Sequence, residues 1–296
     1  MNDSIVVGVD IGGSHITVAQ IDCKKKKILS ESFVRRPIDS GADAGEILSN
    51  WTCAITDSIQ NAGNSICSIG IAMPGPFDYE AGISYMKNQN KYDSLYGLNL
   101  REMLGESLGL DGGIFHFSND AACFLQGELF SGEDDPSLNV AGFTIGTGFG
   151  SALAKDGIAV DADLWCAPFK EGTVEDYFST RWFIKEVRDR KGETVSDVKS
   201  LTDRKTDPVV EGIFNDFGEN LACFLIEFYP NWNWEKVVLG GNISHAYALF
   251  APALERTLEQ AGCGIQIRVS TLGENAVLMG AASNASRFFK KNMQIR

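Results

Sequence analysis

The sequence predicts an α/β protein made of two duplicated domains that face one cleft. Three observations carry this. The stretch "GVDIGGSH", Gly8 to His15, follows the apolar run "SIVV" and leads into the β-branched, alternating "ITVAQID". Its glycines therefore turn a β-hairpin. A second stretch, "VAGFTIGTGFGSALAKDG" from Val140 to Gly157, repeats the pattern at an offset of 142 − 8 = 134, so that Ile11 meets Ile145, Gly12 meets Gly146 and Val18 meets Ala152. Two such hairpins at one offset, each opening about half the chain, mark a duplication. Between and after them, apolar strand runs alternate with helical spacings.

The elements follow in order. Gly-rich turns after strands hold anions, because a backbone without Cβ approaches a phosphate closely. A Rossmann turn is excluded because a strand rather than a helix follows the glycines. A P-loop is excluded because Gly-Lys occurs nowhere in the chain. "KKKK", Lys24 to Lys27, reads as a solvated hairpin tip, with another strand, "ILSESFV", behind it. The run 42–63 has helical spacing at Ile47, Trp51, Ile55 and Ile59 and stops on Gly63, a C-cap residue. "SICSIGIAMPGPFD" is a buried strand entering a Pro-Gly-Pro turn, and "GIFHFSND" is a strand ending in polar residues before a helix over "AACFLQGELF". "PVVEGIFNDFGENLACFLIEFY" is a long helix with Ile213, Phe217, Leu221, Leu225 and Phe228 on its core face. "KVVLGGNIS" is a strand running into a double glycine, and Arg188 to Lys205 is charged surface structure with weak patterning.

Bulk properties narrow the function classes. The chain has 296 residues, 44% hydrophobic and 22% charged, which describes a soluble globular protein large enough for two cores. A net charge of −13 disfavours nucleic acid or an anionic membrane as a partner. It leaves room for a nucleotide met by Mg²⁺ and backbone N–H groups. No apolar run approaches the roughly 18 residues of a membrane span, and the N-terminus lacks the basic flank of a signal peptide. The seven cysteines are scattered without a CxxC, and there are only three histidines. This pattern points to reduced thiols in the cytoplasm and to no structural zinc.

At these residues the chain resembles the ROK family (repressors, open reading frames, sugar kinases) of the sugar kinase/Hsp70/actin superfamily. "GVDIGGSHI" is similar to the family's first phosphate motif, "GIAMPGPFD" to its Gly-x-x-x-Pro-Gly-Pro turn and "SNDAACFLQGE" to its Asn-Asp-Ala segment. "FTIGTGFGSAL" resembles the second phosphate motif, and "VVLGGNIS" the adenosine motif. The resemblance implies two ribonuclease-H-like (actin-like ATPase) domains flanking a deep cleft. They would be divided as 1–118, completed by the C-terminal helix, and 119–296. It also implies an ATP-dependent, glucokinase-like kinase for a hexose or an N-acetylhexosamine. Asp120 would be the general base and Asn119 a sugar-binding residue. Alone, Asn-Asp before a helix reads as a cap; the flanking motifs turn the reading toward catalysis. Gly12, Gly13, Ser14, Gly146, Thr147 and Gly148 would meet the phosphates. Asp10 would hold Mg²⁺ through water. Gly240 and Gly241 would lie against the adenosine. Singly, each glycine reads equally well as a residue that shapes its turn.

One region departs from the family. Where its kinases carry Glu-x-x-His and a zinc loop, this chain reads "DADLWCAPFKEGTVEDYFS". Glu175 falls on a sugar-binding glutamate. Asp163 and Cys166 have the Glu-x-x-His spacing with other side chains, and the zinc cysteines are missing. No zinc is expected. A catalytically weak sugar-binding regulator of the same fold is the alternative function. A homodimer is expected from the resemblance alone.

Overall fold

The computed structural model describes residues 4–89, 91–132 and 135–294. The chain divides into two compact units, Met1–Glu133 with Glu274–Arg296, and Asp134–Gly273. The first unit contains β1 (Ile5–Ile11), β2 (His15–Asp22), β3 (Lys27–Pro37), α1 (Ala44–Ala62), β4 (Ser68–Met73) and a small ribbon of β5 (Phe77–Asp78) and β6 (Ile83–Ser84). It continues with α2 (Leu100–Leu108), β7 (Phe115–Asn119) and α3 (Asp120–Ser131), and is closed by the C-terminal helix α9 (Asn275–Gln294).

Its five-stranded sheet has the order β3-β2-β1-β4-β7. β1, β2 and β3 form an antiparallel meander, while β1, β4 and β7 run parallel. The central strands β1 and β4 are buried on both faces almost throughout, as a sheet covered on both sides requires, while β7 alternates Phe115 and Phe117 with His116 and Ser118. One face meets α1 through Ile47, Trp51 and Ile55, which pack with Val7, Val9 and Ile71. The other meets α9, whose Leu278, Ala282 and Ala285 pack on Val6, Ala19 and Ile21. Helix α1 begins at Asp43, which accepts from the Glu46 N–H, and stops at Gly63 in the left-handed conformation.

Contact between α9 and its neighbours is very close. A Cβ on Gly8 or Gly70 would strike the α9 backbone at Leu278 or Ala281. One on Gly127 of α3 would strike Ala276, and one on Gly280 of α9 would strike Cys123. Glycine at these places lets backbone meet backbone. The packing also moves the expected domain boundary. Helix α3 lies against α9 in the first unit, so the division falls after Glu133 rather than between 118 and 119.

The second unit has the same plan: β8 (Val140–Ile145), β9 (Phe149–Lys155), β10 (Ile158–Asp161), a ribbon of β11 (Pro168–Phe169) and β12 (Gly172–Thr173), then α4 (Val174–Tyr177), α5 (Thr180–Lys191), α6 (Lys199–Thr202) and α7 (Pro208–Trp232). It ends with β13 (Lys236–Gly240), α8 (Tyr247–Gln260) and β14 (Gln266–Val269). The sheet order is β10-β9-β8-β13-β14, the topological equivalent of the first. Its core is rich in phenylalanine; Phe143, Phe149, Phe178, Phe217 and Phe224 pack edge-to-face or tilted. The segments between the strands, 12–14 and 146–148, fall at the offset of 134 read from the sequence, but the registers differ by one: Ile11 pairs with Ile16, and Ile145 with Phe149.

Candidate functional site

In the first unit the marked residues collect at the C-terminal edge of the parallel strands. Register places Asp10 beside Ala72, Ala72 beside Ser118, and Met73 beside Asn119. Asp10, Asn119 and Asp120 therefore come to one edge from strands over 100 residues apart in sequence. This is the edge at which open α/β sheets bind ligands.

Asn119 is the N-cap of α3. Its Oδ1 accepts from the Ala122 N–H at 3.0 Å, and its Nδ2 donates to the Tyr79 hydroxyl at 3.4 Å. Tyr79 in turn donates to the Met73 carbonyl at 3.0 Å. Tyr79 directly follows β5, just beyond the Pro-Gly-Pro turn, whose Gly75–Pro76 peptide is cis. Asp120 opens the helix, and its Oδ1 accepts from the Ala121 N–H at 2.9 Å. Asn119 thus caps the helix, which leaves Asp120 for another task.

Burial raises the Asp120 carboxyl above the usual carboxylate range, against the opposing pull of the Ala121 N–H and the Lys91 ammonium. Asp10 is raised to about 7, first by burial, then by the charges of Asp120 and Glu274, with Arg35 opposing. Arg35 and Glu274 are themselves an ion pair. Asp10 and Asp120 are thus close enough to feel each other's charge. Such a pair offers a proton acceptor and an anionic place for a cation. Among the described residues no group of three or more His, Cys, Asp or Glu could hold a metal.

The first hairpin corrects one expectation. The Gly12 N–H donates to the His15 carbonyl at 3.0 Å, closing the turn, and the Gly12 carbonyl accepts from the Tyr92 hydroxyl. Gly12 is therefore engaged within the protein. Gly13 has open space where a Cβ would point, and both it and Ser14 are exposed. In the second unit the Gly146 N–H likewise donates to the Gly148 carbonyl at 3.0 Å. The Gly146 carbonyl accepts from the Thr180 N–H at 2.8 Å and the Thr180 hydroxyl at 3.0 Å. Both leading glycines shape their turns; Gly13, Ser14 and Thr147 are exposed at the hairpin tips, and Gly148 is half-buried.

Glu175 braces the second hairpin. Its Oε2 accepts from the Phe149 N–H at 3.0 Å, and its Oε1 pairs with Arg181 at 2.6 Å. A Cβ on Gly148 would lie 2.7 Å from that carboxylate, so only glycine fits there without a shift. Asp163 is exposed and left-handed at φ 51°, and its Oδ1 accepts from the Trp165 indole N–H at 2.7 Å. Cys166 is also exposed. Gly240 pairs with Thr144, which puts Gly240 and Gly241 beside the start of the second hairpin. Gly241 has φ 81°, and a Cβ there would strike the Ile145 backbone, so its glycine is required by the fold.

Sequence reasoning did not single out Tyr79, Tyr92, Lys91, Arg35 or Glu274. No spacing rule marks them; all but Arg35 stand outside helices and strands and meet the site only through tertiary folding.

The family model described as "ROK family" matches residues 6–162, more than half of the chain. An N-acetyl-D-glucosamine kinase of Mannheimia succiniciproducens is 25% identical over 94% of this chain and 98% of its own length. A ROK hexokinase from Thermus thermophilus superposes with a TM-score of 0.78 at 22% identity, covering 97% of this chain and 99% of the other. A ROK family glucokinase from Streptomyces griseus, solved with glucose and AMPPNP, superposes at 0.74 with 20% identity, covering 96% and 99%. These structural likenesses extend to both units and identify their fold as the two-domain, actin-like ATPase fold. With two equivalent sheets, two glycine hairpins at one offset, and an Asn-Asp at a strand's end, the chain belongs to the ROK family.

Proposed function

We propose that the protein transfers the γ-phosphoryl group of ATP to a hydroxyl of a hexose or N-acetylhexosamine. The observation that carries this reading is the convergence of Asp10, Asn119 and Asp120 on one strand edge of the first unit. The N-acetyl-D-glucosamine kinase relative, matched over nearly its full length, supports the substrate class.

Phosphoryl transfer asks mainly for positioning and charge neutralisation. Asp120 takes the proton from the attacking sugar hydroxyl. The sugar oxygen bonds to the γ-phosphorus as the β–γ bridging bond breaks, and ADP leaves. Burial that raises Asp120 makes it a stronger proton acceptor than an exposed aspartate. Asn119, braced by Tyr79, orients neighbouring sugar hydroxyls. Asp10 would hold Mg²⁺, which would supply charge neutralisation at the phosphates. Its fit is that of a carboxyl raised to about 7 by burial and by the neighbouring carboxylates, which a divalent cation relieves. The N–H groups of Gly13, Ser14, Thr147 and Gly148 meet phosphate oxygens, and Gly240 and Gly241 line the adenosine. Glu175 keeps lone pairs for a sugar hydroxyl while bracing its hairpin, and Asp163, which accepts from the Trp165 indole, is offered as a further sugar-binding group.

The test is Mg-ATP with a panel of hexoses and N-acetylhexosamines, read as sugar-dependent ADP release. Turnover above the sugar-free rate supports the kinase. Sugar binding by calorimetry without ADP release would favour the regulator instead.

A further inference from the structure

We propose that Lys170 is a positioning residue standing in for a metal: its ammonium fastens the ribbon of β11 and β12 to α7, and the ribbon sets the carboxylate of Glu175 for the sugar. The inference rests on the kinase reading above, with Glu175 as a sugar ligand. The family's zinc loop would occupy the stretch 163–176, and the residues present do not fit one. Cys166 is the single cysteine of that stretch, which holds no histidine. Its carboxylates are engaged within the chain. Asp163 accepts from the Trp165 indole at 2.7 Å, and Glu171 from the Tyr177 hydroxyl at 2.6 Å. Glu175 is held by the Phe149 N–H and Arg181, and Asp176 accepts from the Thr173 N–H at 2.9 Å and the Thr173 hydroxyl at 2.8 Å. A zinc site needs three or four such ligands turned toward one point. Among the described residues no such group is assembled.

Side chains fasten the ribbon instead. Phe169 of β11 is buried, with its ring edge-on to Tyr177 at 5.1 Å and to Phe224 of α7 at 6.1 Å. Lys170 follows in the turn between the two strands. Its backbone is left-handed at φ 50°, a conformation that a non-glycine residue keeps only when its surroundings enforce it. The Lys170 Nζ donates to Oδ1 of Asn220, a buried residue of α7. The same Nζ lies 5.7 Å from the ring centroid of Phe169 and 5.7 Å from that of Tyr177. Cation–π attraction and a charge-assisted hydrogen bond therefore meet at one ammonium. One positive charge joins the ribbon, α4 and α7.

From the ribbon the path to Glu175 is short. Helix α4 is a single turn, Val174–Tyr177, too short to hold its own shape. Three of its four residues are tied back to the ribbon. The Val174 N–H donates to the Ala167 carbonyl at 3.0 Å, Asp176 is bonded to Thr173, and Tyr177 to Glu171. A Cβ on Gly172 would lie 2.9 Å from the Asp176 carboxylate, so ribbon and helix are in close contact. Glu175 is the fourth residue, and its side chain reaches the other way, to the Phe149 N–H of the second hairpin. The place of its carboxylate is therefore inherited from the ribbon, and the ribbon's place from Lys170.

The experiment uses the full chain and the hexose or N-acetylhexosamine that the wild type binds most tightly. Calorimetry gives the sugar's Kd, and steady-state rates give KM and kcat. Lys170→Met keeps the stem and removes the ammonium. It is expected to raise the sugar's Kd and KM about tenfold, a modest part of what a misplaced group costs, with kcat within about threefold. Lys170→Arg, which restores a charged donor, is expected to return both to within about twofold of the wild type. In a Glu175→Gln background, Lys170→Met is expected to add less than about twofold, because both changes act through one carboxylate. Arg204→Met, which breaks ion pairs with Glu193 and Asp207 elsewhere in the second unit, is expected to lower Tm and leave the sugar's Kd unchanged. A Lys170→Met Kd within about twofold of the wild type overturns the inference. So does a full tenfold addition in the Glu175→Gln background, or an Arg204→Met variant that weakens sugar binding equally. A wild type that loses sugar affinity on dialysis against a chelator and regains it with zinc overturns it as well. A wild type that binds sugar without releasing ADP overturns the kinase reading alone, and the Kd comparisons still decide the role of Lys170. A wild type that binds no sugar overturns both.

Discussion

Two aspartates meet at one strand edge, and the proposed kinase chemistry gives them different duties. Asp120 opens α3 while Asn119 caps it, so the Asp120 carboxylate is not needed for helix stability. Asp120→Asn is expected to fold and bind sugar as before, with kcat lower by about 10²-fold or more, the usual weight of a positioned base. Steady-state rates beside sugar calorimetry check this; a variant within a few-fold of wild type would remove Asp120 from the mechanism. Asp10 is expected to show its raised value twice. Its folded value is about 7 and its ordinary value 3.8, so between these the folded chain keeps a proton that the unfolded chain has released. That stabilisation is complete below the ordinary value and is lost as pH rises through about 7. Asp10→Asn, measured without Mg²⁺, is therefore expected to melt above the wild type at pH 8, with the difference shrinking as pH falls to 5.5. In the presence of Mg²⁺ the catalytic trend runs the other way. The ionised form is the one that holds the cation, so KM for Mg-ATP is expected to rise as pH drops below about 7. A flat KM profile between pH 5.5 and 8.5 would show that Asp10 does not face the metal.

At the scale of elements, the hairpins, the sheet strands and the long helix were legible because each carries a local signal: period two, period 3.6, or a glycine turn between apolar runs. Helix α1, its Gly63 cap and the start of α7 at Pro208 stand where spacing and capping chemistry put them. Arg188 to Lys205 was not legible as structure. It holds the end of α5 and all of α6, with Val198 and Leu201 buried, and its charges pair across chain segments, as Arg190 does with Asp216 and Arg204 with Glu193. Sequence spacing does not show such pairs. The site was half legible. Asp10, Asn119 and Asp120 sit in motifs, whereas Tyr79 and Tyr92 reach them from loops with no period. The glycines misled in part, because a turn glycine and a packing glycine look alike in sequence. Gly8 stands inside the first motif, yet it faces the α9 backbone, together with Gly70. Gly8→Ala and Gly280→Ala are both expected to destabilise the first unit by about 1–3 kcal/mol or more, the scale of overpacking in a tight core. Nucleotide affinity of the folded protein is expected to stay within about twofold. Urea unfolding with nucleotide titration checks both. A Gly8→Ala variant of normal stability and lost nucleotide binding would place Gly8 at the nucleotide rather than against α9.

At the scale of the whole molecule, the two units differ in how the chain closes them. The second unit is one continuous stretch, Asp134–Gly273, with a single large core. The first is discontinuous, because α9 returns after residue 273 to cover one face of its sheet. Without α9, Val6, Ala19 and Ile21 lose their partners Leu278, Ala282 and Ala285, and Ala72 and Cys123 lose Ala281. Each buried apolar side chain left open forfeits about 1–3 kcal/mol, and several such losses together exceed the net stability of an ordinary domain. The glycine contacts add to this, because the space left by Gly8, Gly70 and Gly127 is shaped to receive a helix backbone rather than side chains. The expected outcome is asymmetric. Residues 134–273 expressed alone should unfold cooperatively in urea, with amide protection in the strands β8 and β13. Residues 1–133 alone should show no cooperative transition, and should regain one when 274–296 are appended through a flexible linker. If 1–133 folded cooperatively without α9, the close glycine packing would be dispensable. If 134–273 failed to fold, its phenylalanine core would need the first unit. Circular dichroism and hydrogen exchange on the three chains distinguish these cases, and they do so without any assay of activity.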